Sequence, residues 1–200
     1  IRFVPVKLID VAGLVPGAHE GKGLGNQFLD DARQAEVLIH VVDISGSTDI
    51  QGQSVNVGTH DPREDIKFAE EEFDFWFKQI LEREWQKLSK EIEKTKTKLV
   101  DGIADRFSGL GVKVNHVHEV LQNLGLLTKK PVEWNNSDLT KFAQMLRKKT
   151  KPMLIAANKA DLCKSLEITN EIHKNREIIN CSAETELLLK KAAKADLIEY

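Results

Sequence analysis

The sequence predicts an α/β protein, built on a doubly wound and mostly parallel sheet with an all-helical insertion. Three apolar runs of strand length support this prediction: 37–43 (VLIHVVD), 153–158 (MLIAAN) and 177–181 (EIINC). Such runs are typical of strands covered on both faces, as in parallel sheets. Each run ends in polar residues, and doubly wound sheets bind their ligands beyond the carboxyl ends of the strands.

Two elements are expected before the first of these runs, and one after the last. Residues 3–10 (FVPVKLID) have the pattern of a strand that ends in an acidic residue. A loop over 12–25 then holds five of the twelve glycines, and residues 26–35 have the spacing of a short amphipathic helix. A final helix is predicted over 187–195.

Between the first and second runs the alternation of strands and helices stops. The polar loop 45–60 is rich in glycine, serine and asparagine, which predicts a mobile segment. Asp61 and Pro62 form a helix start, because an aspartate N-cap precedes proline at the first helical position. Apolar residues then recur at helical spacing from 66 to 103, which is compatible with one long helix or with a pair of helices.

Two shorter helices complete the insertion, one over 115–124, where Gly125 provides the stop, and one over 137–149. The predicted domain organisation is therefore discontinuous. Residues 1–43 and 152–200 form the α/β domain, and residues 44–151 form the helical insertion.

Composition narrows the class of protein. The chain has 29 basic and 31 acidic residues and a formal net charge of −2, which gives no global attraction to DNA or anionic lipid. No apolar stretch reaches the roughly 18 to 20 residues of a membrane span. The two cysteines lack metal-site spacing and predict a reduced, cytoplasmic protein. The sequence leaves the oligomeric state open.

The segment Asn158-Lys159-Ala160-Asp161 follows a predicted strand and has the chemistry to recognise guanine. Guanine presents two adjacent donors, N1–H and the 2-amino group, and the Asp161 carboxylate can accept both in a charge-assisted pair. Adenine has an acceptor at N1, so a site of this kind rejects it by a factor on the order of 10⁴. Asn158 would hold the loop and the N7 edge of the base, while the stem of Lys159 covers one face. A solvated turn is the alternative.

A second polar segment, Cys181-Ser182-Ala183-Glu184, follows the next strand. The backbone N–H of Ala183 is a candidate donor to guanine O6. Ser182 would brace the loop that carries Asp161. Because both segments follow strands in the order that a single crevice requires, they favour guanine over a chance match.

A third segment, Asp10-Val11-Ala12-Gly13, lies upstream. Asp10 could hold a magnesium ion through water, and the N–H of Gly13 could approach a terminal phosphate because no Cβ intervenes. Loops of this kind are ordered by the γ-phosphate and released on hydrolysis. The three segments together predict a guanine-nucleotide switch.

These segments resemble the Obg-related GTPases and, more specifically, the archaeal YchF-related branch. The resemblance covers nearly the whole chain and is most specific in the glycine-rich segment after Asp10. It extends to HDPREDI at the start of the insertion, to KPMLIAANKAD, and to the CSAE and KADLIEY segments near the end. The resemblance implies a P-loop GTPase fold that binds GTP or GDP with Mg²⁺, hydrolyses GTP slowly as a molecular switch, and works with the ribosome or ribosomal RNA.

One departure concerns the catalytic water. Leu14 stands where many GTPases have a glutamine that orients this water, and its side chain can neither donate nor accept a hydrogen bond. Water must then be positioned by a backbone group, a monovalent cation, a partner or another switch residue. His19 in the glycine-rich loop is a candidate, and a solvated loop histidine is the alternative.

A second departure is that the sequence contains no G-x-x-x-x-G-K-[ST] phosphate loop. We therefore expect the GTPase domain to lack its N-terminal part, upstream of Ile1, and the 200 residues alone to hydrolyse no GTP. The alternative function is a non-catalytic binding module whose helical insertion contacts the ribosome or RNA.

Overall fold

The computed structural model describes residues 4–11, 31–163, 167–174 and 176–200. The chain divides into two compact units. The helical unit comprises Ile1–Leu38 and Ala69–Pro152, and the sheet unit comprises Ile39–Phe68 and Met153–Tyr200. Among the described residues, no helix is long and apolar enough to cross a membrane.

The predicted α/β class with a parallel sheet is confirmed. In chain order, the elements are β1 (Leu38–Asp43), α1 (Pro62–Thr95), α2 (Leu99–Arg106), α3 (Val114–Asn123), α4 (Asn136–Thr150), β2 (Met153–Asn158), α5 (Glu167–His173), β3 (Ile178–Asn180) and α6 (Ala183–Lys194). The sheet has the order β1-β2-β3. Strands β2 and β3 are parallel, with Ile155 opposite Ile178.

The core of the sheet unit lies on one face of the sheet. Its buried members are Val42, Ile44, Ile66, Ile155, Ala157 and Ile172, from the strands, the start of α1 and α5. On the other face Ile39 is 54% exposed and Val41 63% exposed. The prediction that the run 37–43, which forms β1, is covered on both faces is therefore wrong for the part of the chain that the structure describes. Side chains alternate along a strand, and α1 and α5 cover only one of the two sides.

The predicted strand over 3–10 is not observed. Residues 4–11 form no strand, and Val4, Val6 and Leu8 are exposed. A strand needs a neighbouring backbone to pair with, and an alternating apolar pattern does not supply one. None of the described strands pairs with this segment.

Helix α1 begins where the sequence predicts. Asp61 Oδ1 accepts a hydrogen bond from the backbone N–H of Arg63 at 3.0 Å, which caps the helix before Pro62. Of the two alternatives for 66–103, the pair of helices is observed, since α1 ends at Thr95 and α2 follows. Gly102 allows α2 to pack closely on α1, because a Cβ there would lie 3.1 Å from Ile92.

Helices α3 and α4 confirm the two shorter helices predicted over 115–124 and 137–149. Gly125 follows α3 with φ +67°, the left-handed conformation that ends helices. Helix α4 begins with a capping box between Asn135 and Asp138. Trp134 stacks on Trp85 with ring centroids 4.5 Å apart, so this cap is tied to the aromatic core of the helical unit.

Lys151 is the C-cap residue directly after α4 and lies buried in the helical unit, 3% exposed. Its Nζ donates to the carbonyl oxygens of Arg33 and Ala35, each at 2.6 Å. Burial lowers the pKa of Lys151. Because residues 31–34 are helical, this lysine caps the carboxyl end of the helix that follows the glycine-rich segment.

The loop 45–60, expected from its composition to be mobile, is folded on itself. The N–H of Gly58 donates to the carbonyl of Ser45 at 2.8 Å, and Val55 donates to Ser47 at 2.8 Å. An isolated antiparallel bridge joins Thr48 to Ser54. Polar composition predicted mobility, but several backbone groups here are paired with one another.

Gly46 in this loop should not tolerate a side chain. Its φ is +62°, and a Cβ would lie 2.2 Å from the carbonyl oxygen of His60. We expect Gly46→Ala to lower the free energy of unfolding by about 2–4 kcal/mol, measured by urea denaturation. Gly52→Ala is the matched control, since Gly52 has φ +80° but open space around it. Its loss should be about 1 kcal/mol, and equal losses in the two variants would contradict the close contact.

Candidate guanine-binding site

The turn after β2 presents Asp161 to solvent. Asn158 is the last residue of the strand, and Lys159 adopts the left-handed conformation, with φ 60° and ψ 31°. A 3-10 turn follows over Ala160–Leu162, in which Leu162 N–H donates to the carbonyl of Lys159 at 3.0 Å. Asp161 therefore extends from a short hydrogen-bonded turn at the carboxyl end of the central strand.

The turns after β2 and β3 are joined directly. Cys181 N–H donates to the carbonyl of Ala157 at 2.9 Å, and Ala160 N–H donates to the carbonyl of Cys181 at 3.1 Å. The N–H of Ala183 donates to Asn158 Oδ1 at 2.9 Å. The structure therefore brings the Asn158 and Cys181 segments together, as parallel neighbouring strands require.

Two groups in these turns make contacts other than those expected from the sequence. Ala183 N–H, the expected donor to guanine O6, donates to Asn158. Ser182 was expected to brace the loop of Asp161, but its described contacts are with Thr185. Ser182 Oγ accepts from Thr185 N–H at 3.3 Å and donates to Thr185 Oγ1 at 2.9 Å. Ser182 is thus the N-cap of α6, because a helix leaves its first N–H groups without internal partners.

A residue that the sequence reasoning missed holds Lys159. Asp43 ends β1, and its Oδ2 accepts from Lys159 Nζ at 2.7 Å. The same ammonium donates to Ser47 Oγ at 3.0 Å and to Thr48 Oγ1 at 3.1 Å. The sequence signal for this residue was only its position, because Asp43 is the polar residue that ends the run 37–43.

The Asp43 carboxylate is stabilised in its ionised form. Besides Lys159, it accepts hydrogen bonds from the side chains of Ser45, Ser47 and Thr48 at 2.6 to 2.7 Å. Burial alone would raise the pKa of Asp43, but the hydrogen bonds from Lys159 and the three hydroxyls outweigh it. The pKa therefore lies well below its ordinary value of 3.8.

This lowered pKa predicts a pH dependence of stability. Because Asp43 releases its proton more readily in the folded chain, its contribution is complete above the unfolded pKa. It is lost progressively as the pH falls from the unfolded pKa toward the lower folded pKa, so the loss begins between about pH 5 and about pH 3. We expect Asp43→Asn to flatten the fall of the free energy of unfolding between about pH 5 and about pH 3. Urea denaturation at several pH values tests this, and parallel curves for the two proteins would contradict it.

The third segment, Asp10-Val11-Ala12-Gly13, is described only in part. Asp10 is exposed and belongs to the helical unit. Gly13, Leu14 and His19 lie outside the described residues. Among the described residues, no group of three or more His, Cys, Asp or Glu side chains could hold a metal ion.

Comparison with known proteins shows the family of this chain. Residues 156–200 match the family model described as "Obg-like GTPase YGR210-like, G4 motif-containing domain", and residues 2–100 match the one described as "50S ribosome-binding GTPase". An uncharacterized GTP-binding protein of Methanocaldococcus jannaschii is 44% identical over 100% of this chain and 50% of its own length. This chain belongs to the Obg/YchF-like family of GTP-binding proteins.

Other relatives of this Obg/YchF-like chain extend the match. An uncharacterized GTP-binding protein of Schizosaccharomyces pombe is 35% identical over 100% of the chain and 49% of its own length. The crystal structure of a GTP binding protein from Pyrococcus horikoshii is similar, with a TM-score of 0.75 and 46% identity. The match covers 86% of this chain and 51% of that one. The chain spans about half the length of the curated relatives it matches.

Proposed function

We propose that the complete protein binds GTP and GDP through the joined turns after β2 and β3, and hydrolyses GTP slowly as a molecular switch. The observation that carries the proposal is the hydrogen bond at 2.9 Å from Ala183 N–H to Asn158 Oδ1. This bond joins the Asn158 and Cys181 segments at the carboxyl edge of the sheet, which supports the proposal that both contact one base. Family membership supports guanine nucleotide as the ligand.

In this proposal each group of the two turns has one task. Asp161, whose carboxylate is exposed, accepts from guanine N1–H and from the 2-amino group. The Lys159 stem covers one face of the base. Ala183 N–H reaches O6 by leaving or sharing its bond to Asn158, while Ser182 keeps the start of α6 in place.

The phosphate side of the proposed site involves the residues before β1. Asp10 would hold Mg²⁺ through water, and Gly13 would contact the γ-phosphate. Leu14 cannot orient the attacking water, so that task would fall to His19, a backbone group, a monovalent cation or a partner. The sequence contains no phosphate loop, and we expect the 200 residues alone to show no turnover above background.

We also propose that the protein acts in the cytoplasm with the ribosome or ribosomal RNA, without DNA or membrane partners. The matched description "50S ribosome-binding GTPase" supports this partner. In this proposal the segments around β1 to β3 belong to the GTPase domain, and residues 44–151 form an insertion. Sedimentation of the full-length protein with large ribosomal subunits should be stronger with a non-hydrolysable GTP analogue than with GDP.

Isothermal titration of the full-length protein tests the guanine assignment. We expect GDP to bind at least about 100-fold more tightly than ADP, because adenine would leave the Asp161 carboxylate facing a lone pair. Equal affinities for the two nucleotides would contradict the proposal.

A further inference from the structure

We propose that Asp43 positions Lys159 for base binding, by fixing its ammonium so that its stem is preordered as one wall of the guanine site. The inference rests on the proposed function and adds to it a residue that no guanine-recognition segment contains. It starts from the contacts of the Lys159 ammonium with the end of β1.

The ammonium is fully engaged. A lysine Nζ has three hydrogens, and here it has three acceptors: Asp43 Oδ2 at 2.7 Å, Ser47 Oγ at 3.0 Å and Thr48 Oγ1 at 3.1 Å. The Asp43 side chain is 12% exposed and that of Lys159 is 40% exposed. The charged end is therefore held while part of the side chain stays accessible to a ligand.

The backbone directs the stem toward this anchor. Lys159 has φ 60°, an uncommon conformation for a residue with a Cβ, so its side chain leaves the turn in a direction set by the left-handed backbone. It reaches Asp43 at the end of the neighbouring strand β1. The stem thus runs between the carboxyl ends of β1 and β2, beside the turn that carries Asp161.

Holding the stem before the base arrives should strengthen binding. A free lysine side chain has among the largest rotamer entropies, and a stem that stacks on a base must lose that freedom. Here the freedom is lost on folding rather than on binding. The folded loop 45–60 supports the anchor, because Ser47 and Thr48 each contact both Asp43 and Lys159.

The test uses GDP and inosine diphosphate, whose base lacks the 2-amino group, with the full-length protein. Asp43→Asn should weaken both nucleotides by the same factor, about five- to ten-fold, because the stem stacks equally on either base. Their affinity ratio should stay at the wild-type value. Removing a negative charge would by itself favour an anionic ligand, so long-range electrostatics cannot produce this loss.

A structural disturbance would give a different pattern. If Asp43→Asn merely disordered the turn after β2, the hydrogen bond from the guanine 2-amino group to Asp161 would also weaken. The preference for GDP over inosine diphosphate would then become smaller. That result would overturn the positioning role, as would unchanged or tighter binding. Asp49→Asn is the matched control, since Asp49 lies in the same loop and caps its own turn through Gln51 and Gln53. It should bind both nucleotides like the wild type.

A double-mutant cycle separates this proposal from the proposed function. Lys159→Met keeps an apolar stem but removes the ammonium, so Asp43→Asn in that background should cause no further loss. If the fold-losses in nucleotide affinity of the two single variants multiplied in the double variant, the proposed coupling between the two side chains would be overturned. A wild-type protein with no preference for GDP over ADP would instead overturn the proposed function, and this inference with it.

Discussion

Asp161→Asn is expected to change the base preference of the full-length protein from guanine to xanthine. The carboxylate accepts from two guanine donors, whereas an asparagine presents one acceptor and one donor. Xanthine has a carbonyl in place of the 2-amino group and keeps N1–H, so it matches the amide. We expect the affinity for GDP to fall by a factor on the order of 10³ and xanthosine diphosphate to bind more tightly than GDP.

Isothermal titration with GDP and xanthosine diphosphate measures this exchange. Asp105→Asn is a suitable control, because it makes the same chemical change at an exposed position of α2 and should leave both affinities unaltered. A variant at Asp161 that lost both nucleotides equally would indicate a structural role for this carboxylate. The guanine assignment would then lose its chemical basis.

The largest stability effect is expected at the buried ion pair of the helical unit. Arg147 is 2% exposed, and its Nε donates to Asp74 Oδ1 at 2.7 Å. Among the described residues its Nη2 has no hydrogen-bond partner. Asp74→Ala would leave a buried guanidinium without its carboxylate, which should lower the free energy of unfolding by about 3–5 kcal/mol.

A second substitution shows where that loss comes from. Adding Arg147→Met to Asp74→Ala removes the uncompensated charge and should restore most of the stability. Glu84→Ala is the partly exposed counterpart, since Glu84 pairs with the partly exposed Arg106, and it should cost at most about 1 kcal/mol. Urea denaturation of the four proteins tests this. A cost at Asp74 no greater than that at Glu84 would contradict the burial argument.

The sequence predicted best where local chemistry decides the structure. Strand β2 was predicted with its observed bounds because Pro152 and Asn158 delimit a short apolar run. Helix α1 was placed at Pro62 because an N-cap aspartate and a first-turn proline act locally. The match of the Asp161 carboxylate to two guanine donors likewise follows from the residue type, so it could be predicted without knowing the fold.

The missed features depend on contacts between distant residues. The sequence identified Asp43 only as the end of a predicted strand. Its contact with Lys159 follows from the pairing of β1 with β2, which the sequence does not show. The loop 45–60 looked mobile because composition does not reveal which backbone groups pair. The predicted strand over 3–10 failed for the converse reason, since its apolar alternation finds no partner among the described strands. Ser182 and Thr185 together did carry a local N-cap signal that would have started α6 at Ala183.

A crystal structure of the full-length protein with GDP and Mg²⁺ tests the central claim most directly. The account predicts guanine N1–H and its 2-amino group on Asp161, O6 at the N–H of Ala183, and the Lys159 stem against the base with its ammonium still on Asp43. A base bound away from these two turns, or held without Asp161, would contradict it.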